Sequence, residues 1–232
     1  LTMNRPGKRN ALSIKMIEAI HKGLDEIENN SSMRAFILAG EGQSFCSGMD
    51  LLGVLDDAKA MGSMLQGLSK AAQRIRKLPV PTIARVQGAA IGGGCGLMVV
   101  CDFAFTHPDS KVGYPEVDLG VCPAVVAPWL IKKLGPGKAR AMLLAGGTIS
   151  GQQGFDAGLA THLCDLGDLM QATEKFASNL AQGGQEAMAV TKQWLNELDG
   201  SLDSDVLMKA AELSAEVIEG EEAQSRLRPL FK

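Results

Sequence analysis

The sequence predicts an α/β fold whose strands pair in parallel and are covered by helices on both faces. Short segments that are apolar along almost their whole length, at residues 34–39 and 81–86, alternate with longer segments of helical periodicity. Such uniformly apolar strands are typical of parallel sheets that are buried on both faces. Beyond about residue 165 the pattern is helical only. We therefore expect a core of stacked α/β turns over residues 1–165 and a helical region over residues 166–232.

The elements follow from local signals along the chain. The first helix is predicted over residues 13–28, because Ser13 is a suitable N-cap and apolar residues recur on one face after it. The second, over residues 61–77, is expected to end before Leu78, because a residue that precedes proline is disfavoured in helical conformation. Further strands are expected at residues 102–106, 110–118 and 160–164, and further helices at residues 123–135, 137–145, 150–158, 168–181, 185–198 and 203–219.

Composition and charge argue against several classes of protein. The net charge of −3 and the scarcity of tyrosine and tryptophan give neither a basic patch nor stacking platforms for nucleic acid. Apolar runs stay below the roughly 18 residues of a membrane span, so we expect no membrane as partner. The five cysteines lie far apart without a C-x-x-C pair, which favours a cytoplasmic or organelle-matrix protein without disulfides or zinc. The chain begins at Leu1 without an initiator methionine, and we expect that residues were trimmed from its start.

The central motif is the glycine triplet Gly92-Gly93-Gly94, which lies between an apolar strand and an apolar helix. Glycines let a ligand approach the backbone, and the first N–H groups of a helix have no partner inside it. A dinucleotide-binding fingerprint would need glycine in place of Leu97, and a phosphate-binding loop would need lysine in place of Cys95. Two interpretations remain open: binding of an oxyanion that develops on a carbonyl group, or a turn needed for close packing of helix and strand.

A second loop has the same physical character. The segment Phe45-Cys-Ser-Gly-Met-Asp-Leu leads from a strand into a loop that contains Gly48, and the residues around this glycine offer backbone N–H groups before the next helix. One N–H group from each loop would give two donors for the same oxygen. Loss of one such donor typically costs about 3–4 kcal/mol of transition-state stabilisation.

Six segments, in order and spread over nearly the whole chain, carry a further signal. They are Asn4-Arg-Pro, Asn10-Ala-Leu, Phe45-Cys-Ser-Gly-Met-Asp-Leu, Gly88-Ala-Ala-Ile-Gly-Gly-Gly-Cys, Cys101-Asp and Tyr114-Pro-Glu-Val-Asp-Leu-Gly-Val. Together they resemble the crotonase (enoyl-CoA hydratase/isomerase) superfamily. The resemblance implies a ββα superhelix, or spiral, as the core, a C-terminal α-helical trimerisation region, and self-association as a homotrimer or a dimer of trimers.

The resemblance also implies a substrate and a site. Members of this superfamily act on an acyl-CoA thioester and hold its carbonyl oxygen between two backbone N–H groups, which in this sequence are those of Met49 and Gly93. Lys8, Arg9, Ser47 and Met49 fall where members contact the CoA nucleotide. Coenzyme A enters as part of the substrate, and the resemblance implies no separate cofactor and no metal.

One departure from the family pattern bears on the reaction. The hydratases carry two glutamates; here the second is present as Glu116, whereas the position of the first is Gly96. A single glutamate can move a proton from one carbon to another, which resembles the Δ3,Δ2-enoyl-CoA isomerases. However, some hydratase-like members, those similar to methylglutaconyl-CoA hydratases among them, also have glycine here. Isomerisation of a 3-enoyl-CoA and hydration of a 2-enoyl-CoA therefore both remain open.

Glu116 is the predicted general acid or base. Apolar neighbours such as Tyr114 and Leu119 predict a wall that would raise its pKa, whereas the alternative is a solvated carboxylate on a turn. Asp118 is a possible second carboxylate, because residues two apart on a strand share a face, or else a cap of the next turn. A different class of function also remains open, namely a catalytically silent CoA-binding or scaffold protein that kept the two donors and lost the acid at Gly96.

Overall fold

The computed structural model describes residues 1–55, 57–201 and 203–231 and confirms the α/β architecture. Its strands are β1 (Thr2–Met3), β2 (Phe36–Gly40), β3 (Thr82–Val86), β4 (Ala90–Ile91), β5 (Phe103–Thr106), β6 (Lys111–Gly113), β7 (Thr148–Ser150) and β8 (His162–Leu163). Five of them form a sheet in the order β1-β2-β3-β5-β8, and the other three form a second sheet in the order β4-β6-β7.

Ten α-helices lie in the described part of the chain. They are α1 (Ile14–Glu28), α2 (Ala58–Lys77), α3 (Gly93–Val100), α4 (Ala127–Leu134), α5 (Pro136–Ala145), α6 (Gly151–Ala157), α7 (Leu169–Leu180), α8 (Gln185–Leu198), α9 (Ser204–Glu219) and α10 (Glu221–Leu227). Short 3₁₀ turns cover Pro6–Lys8, Leu51–Gly53, Val117–Leu119 and Arg228–Phe231. Within these same ranges, no helix is both long and apolar enough to cross a bilayer.

Side-chain caps define the starts of the two long N-terminal helices. Ser13 Oγ accepts the N–H of Met16 at 3.2 Å and begins α1 as predicted. Asp57 Oδ1 accepts the N–H of Ala60 at 2.9 Å, so α2 begins three residues before the predicted position. Each cap satisfies an N–H group that has no partner inside the helix.

The five-stranded sheet has the predicted parallel pairing. Ile37 pairs with Ile83, and Ile83 with Phe103, so that β3 lies at the centre of the sheet. The side chains of β3 at Ile83, Ala84 and Val86 are fully buried, which is the reason for its uniformly apolar sequence.

The second sheet differs from the purely parallel prediction. Strand β4 pairs with β6 in parallel, but β7 pairs with β6 in the antiparallel sense. The chain reverses direction before β7 at Gly146 and Gly147, which both have positive φ angles, of 68° and 71°. Glycine adopts such angles without steric cost, which permits the tight turn between α5 and β7.

The predicted strand at residues 110–118 was also too long. Strand β6 ends at Gly113, and the chain then turns through the 3₁₀ segment Val117–Leu119. The argument that residues 116 and 118 share the face of a strand therefore does not apply, because that alternation holds only in extended backbone.

The C-terminal helices continue the core. Strand β8 and helix α7 flank the predicted boundary at residue 165. Leu207 and Ala211 of α9, together with Leu227 of α10, belong to the same buried apolar cluster as Leu24 and Leu38 of the N-terminal half. Helix α9 packs along α2 and thereby closes one side of the cavity described below.

Candidate active site

The two glycine loops come into direct contact in the structure. The N–H of Cys46 donates to the carbonyl of Ala89 at 2.8 Å, and the N–H of Ile91 donates back to the carbonyl of Cys46 at 3.0 Å. A Cβ atom on Gly94 would clash with the carbonyl oxygen of Cys46. The third glycine of the triplet is therefore required for this contact, which confirms the packing interpretation for Gly94.

The N–H groups of Met49 and Gly93 belong to these two loops. Leu12 donates to the carbonyl of Gly48 at 2.8 Å and accepts from the N–H of Asp50 at 3.0 Å, so the N–H of Met49, which lies between them, faces away from Leu12. Gly93 is the first residue of α3. Within the described ranges, neither N–H group donates to another protein atom. A Cβ atom on Gly93 would lie 3.8 Å from Met49 Cγ, so the two residues are neighbours.

Gly92 connects this region to Glu116. Its φ of 54° with a ψ of −122° is a conformation open to glycine, and its N–H donates to the carbonyl of Gly113 at 2.8 Å. A Cβ atom on Gly92 would lie 2.9 Å from Glu116 Oε1. The carboxyl group of Glu116 is thus in contact with the residue that precedes Gly93.

A cavity collects these groups. It encloses about 680 Å³ of space, including its open mouth. The residues around it are Ser47, Gly48, Met49, Leu51, Leu65, Leu68, Ile91, Gly92, Gly93, Pro115, Glu116, Leu119, Val121, Cys122, Pro123, Val125, Val126, Ser214 and Ile218. Among these described residues Glu116 carries the only carboxyl group, and the rest of the wall is mostly apolar.

Burial dominates the electrostatics of Glu116. Desolvation raises its pKa from 4.5 to about 7, although a hydrogen bond from its own backbone N–H acts in the opposite direction. Its Oε2 atom is buried and has no hydrogen-bond partner in the described part of the chain. The backbone is held rigidly, because the carbonyl of Glu116 accepts from the N–H groups of both Leu119 and Val121. The main chain at Glu116 is therefore held in place, and burial moves the pKa of its carboxyl group toward neutrality.

Asp118 lies elsewhere. Its Oδ2 accepts the N–H of Gly147 at 2.8 Å, its side chain is exposed, and it is absent from the cavity wall. The structure thus places this carboxylate against the turn that leads into β7, 29 residues further along the chain, and not on the next turn as the alternative interpretation had it. Its predicted role as a second carboxylate at the site has no support in this geometry.

Lys8 and Arg9 lie in a turn that contacts Ser47 of the cavity wall. Ser47 lines the cavity, and its N–H donates to the carbonyl of Arg9 at 3.0 Å. The turn that carries Lys8 and Arg9 is fixed by Asn10, whose Nδ2 donates to the carbonyl of Ser44 at 2.8 Å. Both cationic side chains are exposed and form no ion pair with any described residue.

Val126 fills the space next to Gly96. A Cβ atom on Gly96 would lie 2.5 Å from Val126 Cγ1 and 3.3 Å from Val126 Cβ. Both residues are buried, and Val126 also lines the cavity. Sequence reasoning identified Gly96 but missed Val126, because the apolar run around residue 126 gives no indication of which position it faces.

We expect Gly96 and Val126 to be coupled in stability. Gly96→Ala should destabilise the fold by about 1–3 kcal/mol, because the new methyl group overpacks a filled site. The double variant Gly96→Ala/Val126→Ala relieves that overlap. Its loss in free energy of unfolding should therefore be smaller than the sum of the losses of the two single variants, by at least about 0.5 kcal/mol. Urea unfolding of all four proteins measures this coupling. Strictly additive changes would show that the two side chains do not compete for the same space.

The chain is similar to known proteins over most of its length. The profile of the family described as enoyl-CoA hydratase/isomerase matches residues 1–226. Two relatives are each 30% identical to the chain: a short-chain-enoyl-CoA hydratase of Clostridium acetobutylicum, over 84% of this chain and 76% of the relative, and a crotonyl-CoA hydratase of Syntrophomonas wolfei, over 85% and 77%. The crystal structure of an enoyl-CoA hydratase from Mycobacterium avium superposes with a TM-score of 0.86 at 27% identity, covering 99% of this chain and 88% of that one.

The fold and the cavity together define a protein with the crotonase fold. Because the family profile covers nearly the whole chain, the chain belongs to the enoyl-CoA hydratase/isomerase family of the crotonase superfamily.

Proposed function

We propose that the protein isomerises a 3-enoyl-CoA to the conjugated 2-enoyl-CoA, with Glu116 as the single general acid and base. Family membership supports an enoyl-CoA thioester as substrate. The observation that favours isomerisation is the packing of Val126 against Gly96, since this apolar contact occupies the place from which a second carboxylate would act.

The proposed chemistry requires two elements of the site. A proton on the carbon next to a thioester is only weakly acidic, so its removal needs stabilisation of the enolate oxygen together with a base near the carbon. In our proposal the unpaired N–H groups of Met49 and Gly93 donate to that oxygen, and each is worth about 3–4 kcal/mol in the transition state. The surrounding apolar wall strengthens both hydrogen bonds by excluding water.

Glu116 would then move one proton between two carbons. Its carboxylate removes a proton from C2 of the 3-enoyl-CoA, and the electron pair of that C–H bond enters a dienolate that extends to the thioester oxygen. The protonated Glu116 returns the proton to C4, and the double bond comes to lie between C2 and C3. All atoms and charges balance without another reactant, so we propose that no separate cofactor takes part. A pKa of about 7 suits a group that must accept and donate a proton in one cycle.

Lys8 and Arg9 are proposed contacts for the CoA nucleotide. They are exposed cations in the turn that contacts Ser47 of the cavity wall, where we propose that the phosphate groups of a CoA ester reach them while its acyl group enters the apolar interior. The proposal also includes the backbone of Ser47 and Met49 at the same edge.

Hydration is the second candidate, and the names of the relatives favour it. The two relatives described above are named as hydratases of enoyl-CoA thioesters. With one carboxylate, Glu116 would take a proton from water while the hydroxide adds to C3, and would then return the proton to C2. That reaction uses the same oxyanion donors but needs room for a water molecule beside Glu116.

Two substrates, supplied separately, distinguish the candidates. We expect the purified protein to convert a 3-enoyl-CoA into the 2-enoyl-CoA, detected by the absorbance of the conjugated thioester, without forming 3-hydroxyacyl-CoA from a 2-enoyl-CoA. Formation of the 3-hydroxyacyl-CoA would instead support hydration. Tight binding of both esters without turnover would contradict both reactions and support a silent CoA-binding or scaffold protein.

The pH dependence of the reaction should follow the ionisation of Glu116. The value of kcat/KM for the 3-enoyl-CoA should rise about tenfold per pH unit in the acidic range, because only the ionised carboxylate removes a proton, and should level off above a midpoint of about 7. Rates measured from pH 5 to pH 9 in buffers of constant ionic strength give this profile. Asp118→Asn is the matched control and should keep the same midpoint; a flat profile would contradict the role of Glu116.

We also propose self-association as a homotrimer or a dimer of trimers. Support comes from α8, where Val190, Trp194 and Leu198 are each more than half exposed, at 61%, 57% and 64%. An apolar helix face of this kind usually marks a contact with another protein surface. Sedimentation velocity of the purified chain measures the state, and a monomer at micromolar concentration would contradict the proposal.

A further inference from the structure

The direction of the Met49 N–H group depends on a short contact between two segments of the chain. Leu12 pairs with Met49 in a parallel bridge, in which it donates to the carbonyl of Gly48 and accepts from the N–H of Asp50. The Cδ1 atom of Leu12 would also lie 3.4 Å from a Cβ atom on Gly93, so the same leucine packs against the second proposed donor. A displacement of one segment against the other would therefore turn the Met49 N–H group.

The side chain of Arg5 joins these two segments. Its Nη1 atom donates to Asp50 Oδ2 at 2.6 Å and to the carbonyl of Ala11 at 3.3 Å. Asp50 directly follows Met49 in one segment, and Ala11 directly precedes Leu12 in the other. Hydrogen bonds between charged groups are shorter and stronger than those between neutral groups. One guanidinium nitrogen thus holds the two segments together beside the Met49 N–H group.

The main chain of Arg5 is itself fixed by Asn10. The N–H of Arg5 donates to Asn10 Oδ1 at 2.8 Å, and the N–H of Asn10 donates to the carbonyl of Arg5 at 3.0 Å. Asn10 is fully buried, and its Nδ2 donates to the carbonyls of Glu41 and Ser44. Only the side-chain torsions of Arg5 therefore remain to be ordered by its contact with Asp50.

The ion pair between Arg5 and Asp50 is partly buried. The two side chains are 33% and 23% exposed, and no other lysine or arginine of the described ranges lies within ion-pair distance of Asp50. Without Arg5, the Asp50 carboxylate would be partly desolvated and would lack a counter-charge. It would also oppose the negative charge that develops on a thioester oxygen bound at the neighbouring Met49.

We infer that Arg5 is a positioning residue that holds the Met49 N–H group in its direction and neutralises the carboxylate beside it. The inference rests on the proposed role of this N–H group as a donor to the thioester oxygen, which isomerisation and hydration share. Arg5 is absent from the wall of the cavity around Glu116, so it acts on the thioester through Asp50 and Met49.

The carbonyl stretch of a bound thioester measures this alignment without turnover. Butanoyl-CoA labelled with ¹³C at the thioester carbon can be neither isomerised nor hydrated, and N–H groups that donate to its oxygen lower the stretching frequency. Isotope-edited infrared spectroscopy should show this shift for the parent protein and a shift at most about half as large for Arg5→Met. The kcat for the enoyl-CoA that the parent converts should fall about 10²-fold, whereas the Kd for butanoyl-CoA should change little.

Two further variants separate the positioning role from a loss of structure. Arg5→Lys keeps the charge and a donor, and should recover most of the shift and of kcat. Arg5→Met/Asp50→Asn leaves no unpaired carboxylate, so its kcat should exceed that of Arg5→Met. Its carbonyl shift should stay below that of the parent, because the bridge to Ala11 is still missing. This double variant therefore carries the test even where Arg5→Met does not fold.

Arg74→Met is the matched control. Arg74 is 23% exposed and forms an ion pair with Asp25 at 2.6 Å, which joins α1 and α2 away from the cavity around Glu116. Its loss should lower the stability of the protein but leave the carbonyl shift and kcat unchanged. Circular dichroism and urea unfolding of each variant measure fold and stability.

Failure of the inference and failure of the proposed function give different results. If butanoyl-CoA bound to the parent protein shows no carbonyl shift, the proposed oxyanion donors are wrong. If the parent shows the shift and Arg5→Met keeps it in full, the donors are right and the inference about Arg5 is wrong. A weaker Kd with unchanged shift and kcat would also overturn the inference, since Arg5 would then be a contact of the CoA nucleotide. An equal loss in Arg74→Met would overturn it by showing a general effect of stability.

Discussion

Replacement of Glu116 by glutamine is expected to lower kcat for the 3-enoyl-CoA by about 10³-fold, within the range that general acid–base groups contribute. Glutamine has nearly the same shape but cannot accept and return a proton, so the enolate would lack its base. Because Glu116 contacts the reacting carbons and not the CoA nucleotide in our proposal, the Kd for a saturated acyl-CoA should change little. Steady-state kinetics and titration calorimetry measure the two quantities separately.

Asp118→Asn is the control for this experiment. It removes a carboxylate two residues away whose oxygen binds the N–H of Gly147 and does not line the cavity. We expect its kcat to stay close to that of the parent protein. If Glu116→Gln retained full activity, Glu116 would have no part in the chemistry; if Asp118→Asn were the inactive variant, the assignment of the carboxylates would be reversed.

Glu116 should also make the stability of the protein depend on pH. Burial raises its pKa from 4.5 to about 7, so between these values the unfolded chain releases this proton while the folded protein keeps it. The contribution of Glu116 to the free energy of unfolding is therefore greatest below pH 4.5 and falls as the pH rises to about 7. The total loss is about 3 kcal/mol, and it remains constant at higher pH.

Glu116→Gln should remove this dependence, because the amide does not ionise. Relative to the parent protein, the variant should gain about 3 kcal/mol of stability between pH 4 and pH 8. Urea unfolding at several pH values measures the difference, and Glu41→Gln, which makes the same change at an exposed position, should follow the parent profile. A parallel course of the Glu116→Gln and parent curves would show that the pKa of this carboxyl group is the same in the folded and the unfolded protein. Higher stability together with lost activity would indicate that the buried acid is kept for function at the expense of stability.

Much of the fold could be read from local patterns. Ser13 and the apolar periodicity after it located α1, and the uniformly apolar segment around Ile83 identified a central parallel strand. These features depend on neighbours within a few residues, which the sequence displays directly. The motifs around Met49 and Gly93 were also visible, and the structure places those residues side by side.

Other features depend on segments that are distant in sequence. The neighbour of Gly96 is Val126, which lies on a different element, and the carboxylate of Asp118 is held by Gly147. Strand β7 pairs with β6, which lies more than thirty residues earlier in the chain, so its antiparallel direction could not be read from local sequence. The ion pair of Arg5 with Asp50 joins residues that are 45 positions apart.

By itself, therefore, the sequence determined the α/β class, the superfamily and the presence of one glutamate where its hydratases carry two, since helical periodicity, strand composition and glycine motifs are local properties of the chain. Only the tertiary structure decided that Glu116 is partly buried with a raised pKa, that Val126 fills the space at Gly96 and that Asp118 is turned away. The reason is physical: burial, desolvation and the filling of volume are set by which distant segments pack together, and these contacts form only when the whole chain has folded.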